Sequence, residues 1–177
     1  MAIDIKPKFV SFDMNGTLIH FRINDSIRRV LGDRLPAEIA DDFAKAGNEF
    51  RFDECMGEWK PFLQIVDQAL RRTMRMFGLE YREGDGRAVY DDIPTWGPHP
   101  GVPEALRRLA EAYALVIVTN TDDAHAPHLV DHLEAPFDVV ITAEQMGVYK
   151  PRLRAFEYML DKLGAAPDEI VHVSSSP

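Results

Sequence analysis

Four short apolar runs rich in Val and Ile read as strands: residues 8–13 (KFVSFD), 114–120 (ALVIVTN), 137–143 (FDVVITA) and 169–176 (EIVHVSSS). Each of the last three follows a helical pattern. Residues 103–112 open on Pro103 and space their apolar positions by three and four, and residues 124–134 and 152–164 repeat that spacing, the latter closed by Gly164. Strands alternating with helices at this interval predict right-handed crossovers and a parallel sheet, an α/β class. Between Ile19 and about Pro98 the rhythm is helical throughout. Trp59, Phe62, Leu63, Val66, Ala69, Leu70, Thr73 and Phe77 mark one face of a long helix stopped at Gly78, with shorter helices over 26–31 and 37–48. Residues 91–103 are crowded with Pro and Gly and read as the return to the sheet. The predicted organisation is therefore a core of residues 1–18 and 99–177 with an α-helical insertion over 19–98.

Composition narrows the partners. A chain of 177 residues that is 46% hydrophobic can build a real core. Its 20 basic and 29 acidic residues leave a net charge of −9, which disfavours nucleic acid or an anionic membrane surface as partner. Cys55 is the only cysteine, so no disulfide framework or cysteine-based zinc site is built within one chain, and a reducing cytoplasm fits. No apolar run approaches the ~20 residues of a membrane span, and the first residues lack the apolar centre of a secretory signal.

The polar residues that end the strands carry the chemistry. Three of the four runs finish in Asp13, in Thr119 with Asn120, and in Ser174 with Ser175 and Ser176. Parallel strands bring those ends to one edge of the sheet, where α/β folds hold their ligands. Lys150, just after the third run, places an ammonium within reach of the same crevice. An acid taken out of water is costly unless paired, and a nearby lysine keeps it ionised and aimed. An oriented carboxylate can act as a nucleophile and divide a displacement into two easier steps. Thr17 and Thr119 are suited to hold the second oxygen of Asp13 or an anionic group of a substrate, and Asn120 offers an amide N–H to a leaving group.

FDMNGTL, VIVTN and YKP, in that order and with a helical insertion between the first two, resemble the haloacid dehalogenase superfamily of aspartate-nucleophile hydrolases. The resemblance implies a Rossmann-like core and an α-helical cap that closes over a small-molecule substrate. Phosphatases of the superfamily carry a second aspartate two positions after the nucleophile and acids after the fourth strand to bind Mg²⁺. Here those places hold Asn15, whose amide exchanges no useful proton near neutral pH, and the serines from Ser174 on. The sequence is more similar to the type II 2-haloacid dehalogenases, which need no metal or other cofactor and carry Ser/Thr-Asn, Lys-Pro and Ser-Ser-Asn after the second, third and fourth strands. Thr119-Asn120, Lys150-Pro151 and Ser174-Ser175 match these motifs. The implied reaction is attack by Asp13 on the halogen-bearing carbon of a small halogenated carboxylic acid, followed by hydrolysis of the ester. Lys150, Thr17, Thr119 and Ser174 would be the other catalytic positions, with Asn15, Asn120 and Ser175 against the substrate.

Some positions depart from that pattern. Asn15 stands for the family's Tyr, Phe156 for a Tyr six residues after the lysine, and Ser176 for Asn. The family's halide-cradling cap arginine, about thirty residues after the nucleophile, has no counterpart among Phe43, Ala44 and Lys45, which leaves Lys45 or Arg51 to substitute. The superfamily continues past the fourth strand with a helix, a strand and the acid that activates water, so the C-terminal part of the core is expected to be missing from these 177 residues. Two other readings stand beside the dehalogenase: a Mg²⁺-dependent phosphatase of a small metabolite, and a non-catalytic binding or assembly protein on a degenerate fold. A homodimer is compatible with the resemblance. His125, His128 and His132 are expected on a solvated helix face, Asp122-Asp123 at a helix amino terminus, and no metal site is assigned.

Overall fold

The computed structural model of the chain describes residues 7–175, so Ser176, which closes the fourth predicted strand, lies outside the described residues along with Pro177 and residues 1–6. Four parallel strands form one sheet in the order β3-β2-β1-β4. They are β1 (Phe9–Phe12), β2 (Ala114–Thr119), β3 (Val139–Thr142) and β4 (Ile170–Val173), with Phe12 in register with Ile117 on one side and Val173 on the other. The α/β architecture expected from the alternating pattern is the one observed. β2 carries Leu115, Val116, Ile117 and Val118, all fully buried, as a strand covered on both faces requires. Asp138 anchors the β2–β3 register by accepting from the Leu115 backbone N–H at 2.9 Å.

Helix α5 (Val102–Ala110) precedes β2, and α6 (Ala126–Asp131) and the single turn α7 (Ala143–Met146) flank β3. α8 (Leu153–Leu163) leads into β4 and ends where Gly164 takes φ +58°, a left-handed cap that costs glycine little. α7 has too few residues for a periodic pattern and follows instead from Thr142, whose hydroxyl accepts from the Gln145 N–H at 3.2 Å. Asp122 holds the turn just before α6, accepting from the His125 N–H at 3.0 Å, while His125 occupies the N-cap of that helix. His128 and His132 are exposed as expected, His132 also hydrogen-bonding the Trp96 carbonyl at 2.8 Å, whereas His125 at the start of α6 is buried and departs from the solvated face.

The chain divides into two compact units, one running up to Phe21 and resuming at Trp96, the other Arg22–Thr95. Within the first unit the outgoing and returning segments pair with each other. Ile19 and Pro98 form an antiparallel bridge, His20 N–H donates to Gly97 O at 3.0 Å and His99 N–H to Leu18 O at 3.0 Å. The His20 and His99 rings touch with centroids 3.8 Å apart, and Phe21 meets Trp96 edge-on.

The second unit is all helical: α1 (Ile23–Leu31), α2 (Ala40–Met56), α3 (Phe62–Met76) and α4 (Asp85–Asp92) around Phe43, Ile65, Met74, Val89 and Ile93. Trp59 does not belong to α3 as its spacing suggested. Pro61 takes the extended N-cap position and disfavours helix in the residue before it, leaving Trp59 40% exposed. α4 lies in a stretch with little apolar periodicity, begun by Gly84 at φ +95° and held by charge: Arg34 pairs with both oxygens of buried Asp85. That pair holds the Asp85 carboxyl below its ordinary range. Burial would raise the Glu54 carboxyl, but Lys60 and Arg72 together hold it low. Among the described residues no helix is long and apolar enough to cross a membrane.

α3 and α4 meet at Gly86, where a Cβ would lie 2.5 Å from Asp67 Oδ1 and 2.7 Å from its Cα. Asp67 accepts from the Tyr81 hydroxyl and from Arg71, so it has little freedom to retreat. Gly86→Ala is expected to destabilise the protein by about 1–3 kcal/mol, the usual range for overpacking, measured by urea unfolding. A neutral effect would show that the helices separate at no cost.

Candidate active site

β1 is largely buried up to the carboxyl edge of the sheet, where Asp13 still pairs its N–H with Val173 O at 3.0 Å. The chain then turns through Gly16 at φ +97°, with Leu18 and Ile19 N–H both reaching the Met14 carbonyl. This tight loop holds Thr17 over the strand end. Its hydroxyl lies 3.2 Å from Asp13 Oδ2, positioned to donate. On the other oxygen, Lys150 Nζ donates to Asp13 Oδ1 at 2.8 Å and to the Val118 carbonyl at 2.6 Å. Both side chains are about nine-tenths out of water. Burial pushes the Lys150 ammonium below the ordinary lysine range, and Asp13 opposes that shift by charge and by hydrogen bond.

The loop that presents Lys150 is clamped to β2 by one side chain. Asn120 Oδ1 accepts from the Lys150 N–H at 2.7 Å, and its Nδ2 donates to the Lys150 carbonyl at 3.1 Å. One of the two Asn120 amide N–H groups is thus engaged by the backbone of the lysine loop, which has no strand ladder to fix it. Thr119, 1% exposed, likewise points to a neighbour, its hydroxyl 3.1 Å from that of Thr121. Asn15 Nδ2 donates to the same Thr121 hydroxyl at 2.7 Å, while its Oδ1 is buried with no hydrogen-bond partner. Thr121 was not among the residues anticipated. Its signal was the Thr-x-Thr spacing at a strand end, which places two hydroxyls on one side of the backbone.

Ser175 closes the far side: its N–H donates to Thr17 Oγ1 at 2.9 Å and its hydroxyl to Gly16 O at 2.7 Å. Ser174 is exposed beside it at the end of β4. Two residues beneath Asp13 on the same strand, Ser11 is hydrogen-bonded to His172 Nδ1 at 2.9 Å, and the Phe156 ring meets His172 edge-on. Partial burial lowers the His172 pKa and Lys150 adds to that effect, with Asp13 opposing both. Ser11 was not anticipated. In the helical unit, Lys45 is exposed on α2 and Arg51 is half-buried.

The donor set does not suit a Mg²⁺ ion. Hard divalent cations select several carboxylate or carbonyl oxygens. Here the one carboxylate is taken by an ammonium, its neighbours are an amide and hydroxyls, and no cluster of three His, Cys, Asp or Glu occurs among the described residues.

A parallel α/β sheet with a lysine-paired aspartate at its carboxyl edge is a recognisable class of hydrolase scaffold. A model of the haloacid dehalogenase-like hydrolase family matches residues 7–177, and the chain belongs to that family. Over 124 residues it is 29% identical to (S)-2-haloacid dehalogenase 4A of Burkholderia cepacia, covering 68% of this chain and 54% of that protein. The chain thus spans about half the length of that relative. It is 25% identical to haloacetate dehalogenase H-2 of Moraxella sp. (strain B), covering 97% of this chain and 79% of the other. The L-2-haloacid dehalogenase of Xanthobacter autotrophicus, in a structure with chloropropionic acid covalently bound, superposes with a TM-score of 0.79 at 25% identity, covering 96% of this chain and 70% of that one.

Two predictions follow from the ion pair. Lys150→Met leaves a buried carboxylate and Asp13→Asn a buried ammonium, so each is expected to cost about 3–5 kcal/mol while the double variant costs less than the sum. Additive losses in denaturant titrations would refute the coupling. The second concerns pH. In the window between the depressed native pKa of Lys150 and the ordinary lysine value, the unfolded chain binds more protons than the native one. Stability contributed through Lys150 therefore rises with pH across that window, reaching its full extent above the ordinary value. Lys150→Met is expected to flatten this alkaline rise.

Proposed function

We propose that the protein is a metal-independent hydrolase that removes halide from a small 2-haloacid through an ester on Asp13. The observation that carries this reading is the Asp13–Lys150 pair. An ammonium at 2.8 Å keeps the carboxylate charged in a site where it is almost out of water, and an ionised carboxylate is the form that attacks carbon. Support also comes from the (S)-2-haloacid and haloacetate dehalogenases among its relatives and from the covalent chloropropionate structure on the same fold.

In this reading a carboxylate oxygen of Asp13 forms a bond to C2 of the acid as the carbon–halogen bond breaks, and the electron pair leaves with halide. Water then adds to the Asp13 ester carbonyl, and the C–O bond within the side chain breaks. The products are a 2-hydroxy acid, a proton and the regenerated carboxylate. Lys150 holds Asp13 ionised and in position, while Thr17 steadies the second oxygen and Ser175 supports Thr17. Asn120 acts one step back, by fixing the lysine loop. Asn15 carries no exchangeable proton of useful pKa, so a leaving group that needs protonation finds no acid at that place. Halide leaves without one.

The test is halide release from 2-chloropropionate with and without a chelator, together with single turnover in ¹⁸O-water. Chelator-insensitive release is expected, with ¹⁸O entering the Asp13 carboxylate because water attacks the ester carbonyl. Label only in the product would mean direct attack by water. Mg²⁺-dependent hydrolysis of p-nitrophenyl phosphate with no halide release would replace the reading with a phosphatase.

A further inference from the structure

Beneath the ion pair, β1 and β4 carry a second polar contact that the proposed reaction leaves unused. Ser11 and His172 are in register, and the fully buried Ser11 hydroxyl meets His172 Nδ1 at 2.9 Å. Side chains two apart on a strand share a face, so this contact lies on the face of β1 that presents Asp13. The Phe156 ring of α8 meets the imidazole edge-on, and His172 is otherwise exposed. The ring is held in one place yet open to protons from solvent.

Two charges act on it. Lys150, from the loop after β3, disfavours a proton on His172, and Asp13, from the end of β1, favours one. α8 brings the uncharged Phe156, while its Arg154 and Glu157 pair with each other at the surface and its Lys162 donates to Gln145. Lys8 and Glu169 pair at the other end of the strand. Partial cover together with Lys150 keeps the imidazole neutral to lower pH than an ordinary histidine.

Coupling between titrating groups is mutual. A proton on His172 therefore repels Lys150 and draws on Asp13 from beneath, so that two cations compete for one carboxylate. A neutral imidazole leaves Asp13 to Lys150 and Thr17. We propose that His172 is a positioning residue for Asp13, neutral when the Asp13–Lys150 pair is set for attack and, once protonated, a second cation that pulls the carboxylate out of line. This deepens the reading above, because it names the group that sets the acid limit of reaction at Asp13.

The test follows the full chain, labelled with ¹³C and ¹⁵N, by NMR across pH: the His172 ring, the Asp13 carboxyl carbon and Lys150 Cε. Halide release from 2-chloropropionate is measured over the same range. A step in the Asp13 and Lys150 signals is expected at the His172 midpoint, with a fall in kcat of about tenfold on its acid side, within the scale on which small misplacements act. His172→Gln keeps a hydrogen-bonding side chain that cannot take up charge, and should remove both the step and the fall at that pH. Asp13→Asn should move the His172 midpoint further down, since it takes away the charge that favours the proton. If His172→Gln fails to fold, Ser11→Ala with His172→Phe serves in its place, an apolar pair in the same register. The proposal is overturned if the Asp13 and Lys150 signals ignore the titration of His172, or if the step or the fall persists at that pH once His172 is replaced. Absence of halide release at every pH defeats the reading above, and the NMR step then decides this proposal alone.

Discussion

The contact on which the site depends is one ion pair taken almost out of water. Asp13 and Lys150 stand 137 positions apart in the chain and meet at 2.8 Å, each about nine-tenths covered. Neither charge is tolerable there alone, because burial of an unpaired ion costs several kcal/mol. The ladder therefore has to bring the end of β1 and the loop after β3 to the same place. The lysine also spends a hydrogen bond on the Val118 carbonyl at the edge of β2, which ties the pair to the middle of the sheet as well as to its ends. A fold that let the β3 loop drift by a few ångströms would lose the pair and the stability it protects.

This arrangement decides what chemistry the edge can support. A cation already sits on the carboxylate, and it is part of the chain. The work of orienting Asp13 falls to a fixed ammonium, so the surrounding positions need not be acids and are not: Asn15, Thr17, Thr121 and Ser175 are neutral and hydrogen-bond mainly to one another. Neutral surroundings suit a leaving group that departs as a stable anion. They would serve poorly for one that must take up a proton.

Much of this could be read in the chain. Strands that end in Asp13, Thr119-Asn120 and Ser174-Ser175 announce their shared edge, because a polar residue at the end of a buried strand must face something other than core. The partnering of Lys150 with Asp13 was legible for the same reason. Roles within the edge were not, since they depend on who reaches whom first. Asn120 looked available for a ligand and also clamps the backbone of the lysine loop, and Thr121, which was not anticipated, anchors Asn15. The helical unit was harder still. Its helices are bounded by Pro61 and Gly84 and held by pairs such as Arg34–Asp85, features that periodicity of apolar residues does not register. Ser11 was invisible because a strand-interior polar residue acquires meaning only when two strands fall into register.

The bridge between Ile19 and Pro98 has a consequence for how such a chain can be rearranged. The chain leaves and re-enters the sheet unit through two segments that already pair with each other, so the 74 residues of Arg22–Thr95 hang from a closed neck. Entropy of closing a loop grows only with the logarithm of its length, and here the closure is secured by hydrogen bonds that belong to the sheet unit. The excursion can therefore be lengthened, shortened or replaced at little cost to the strands beneath it. Recombination at this neck would exchange the helical unit while leaving intact the strands that bring Asp13 and Lys150 together.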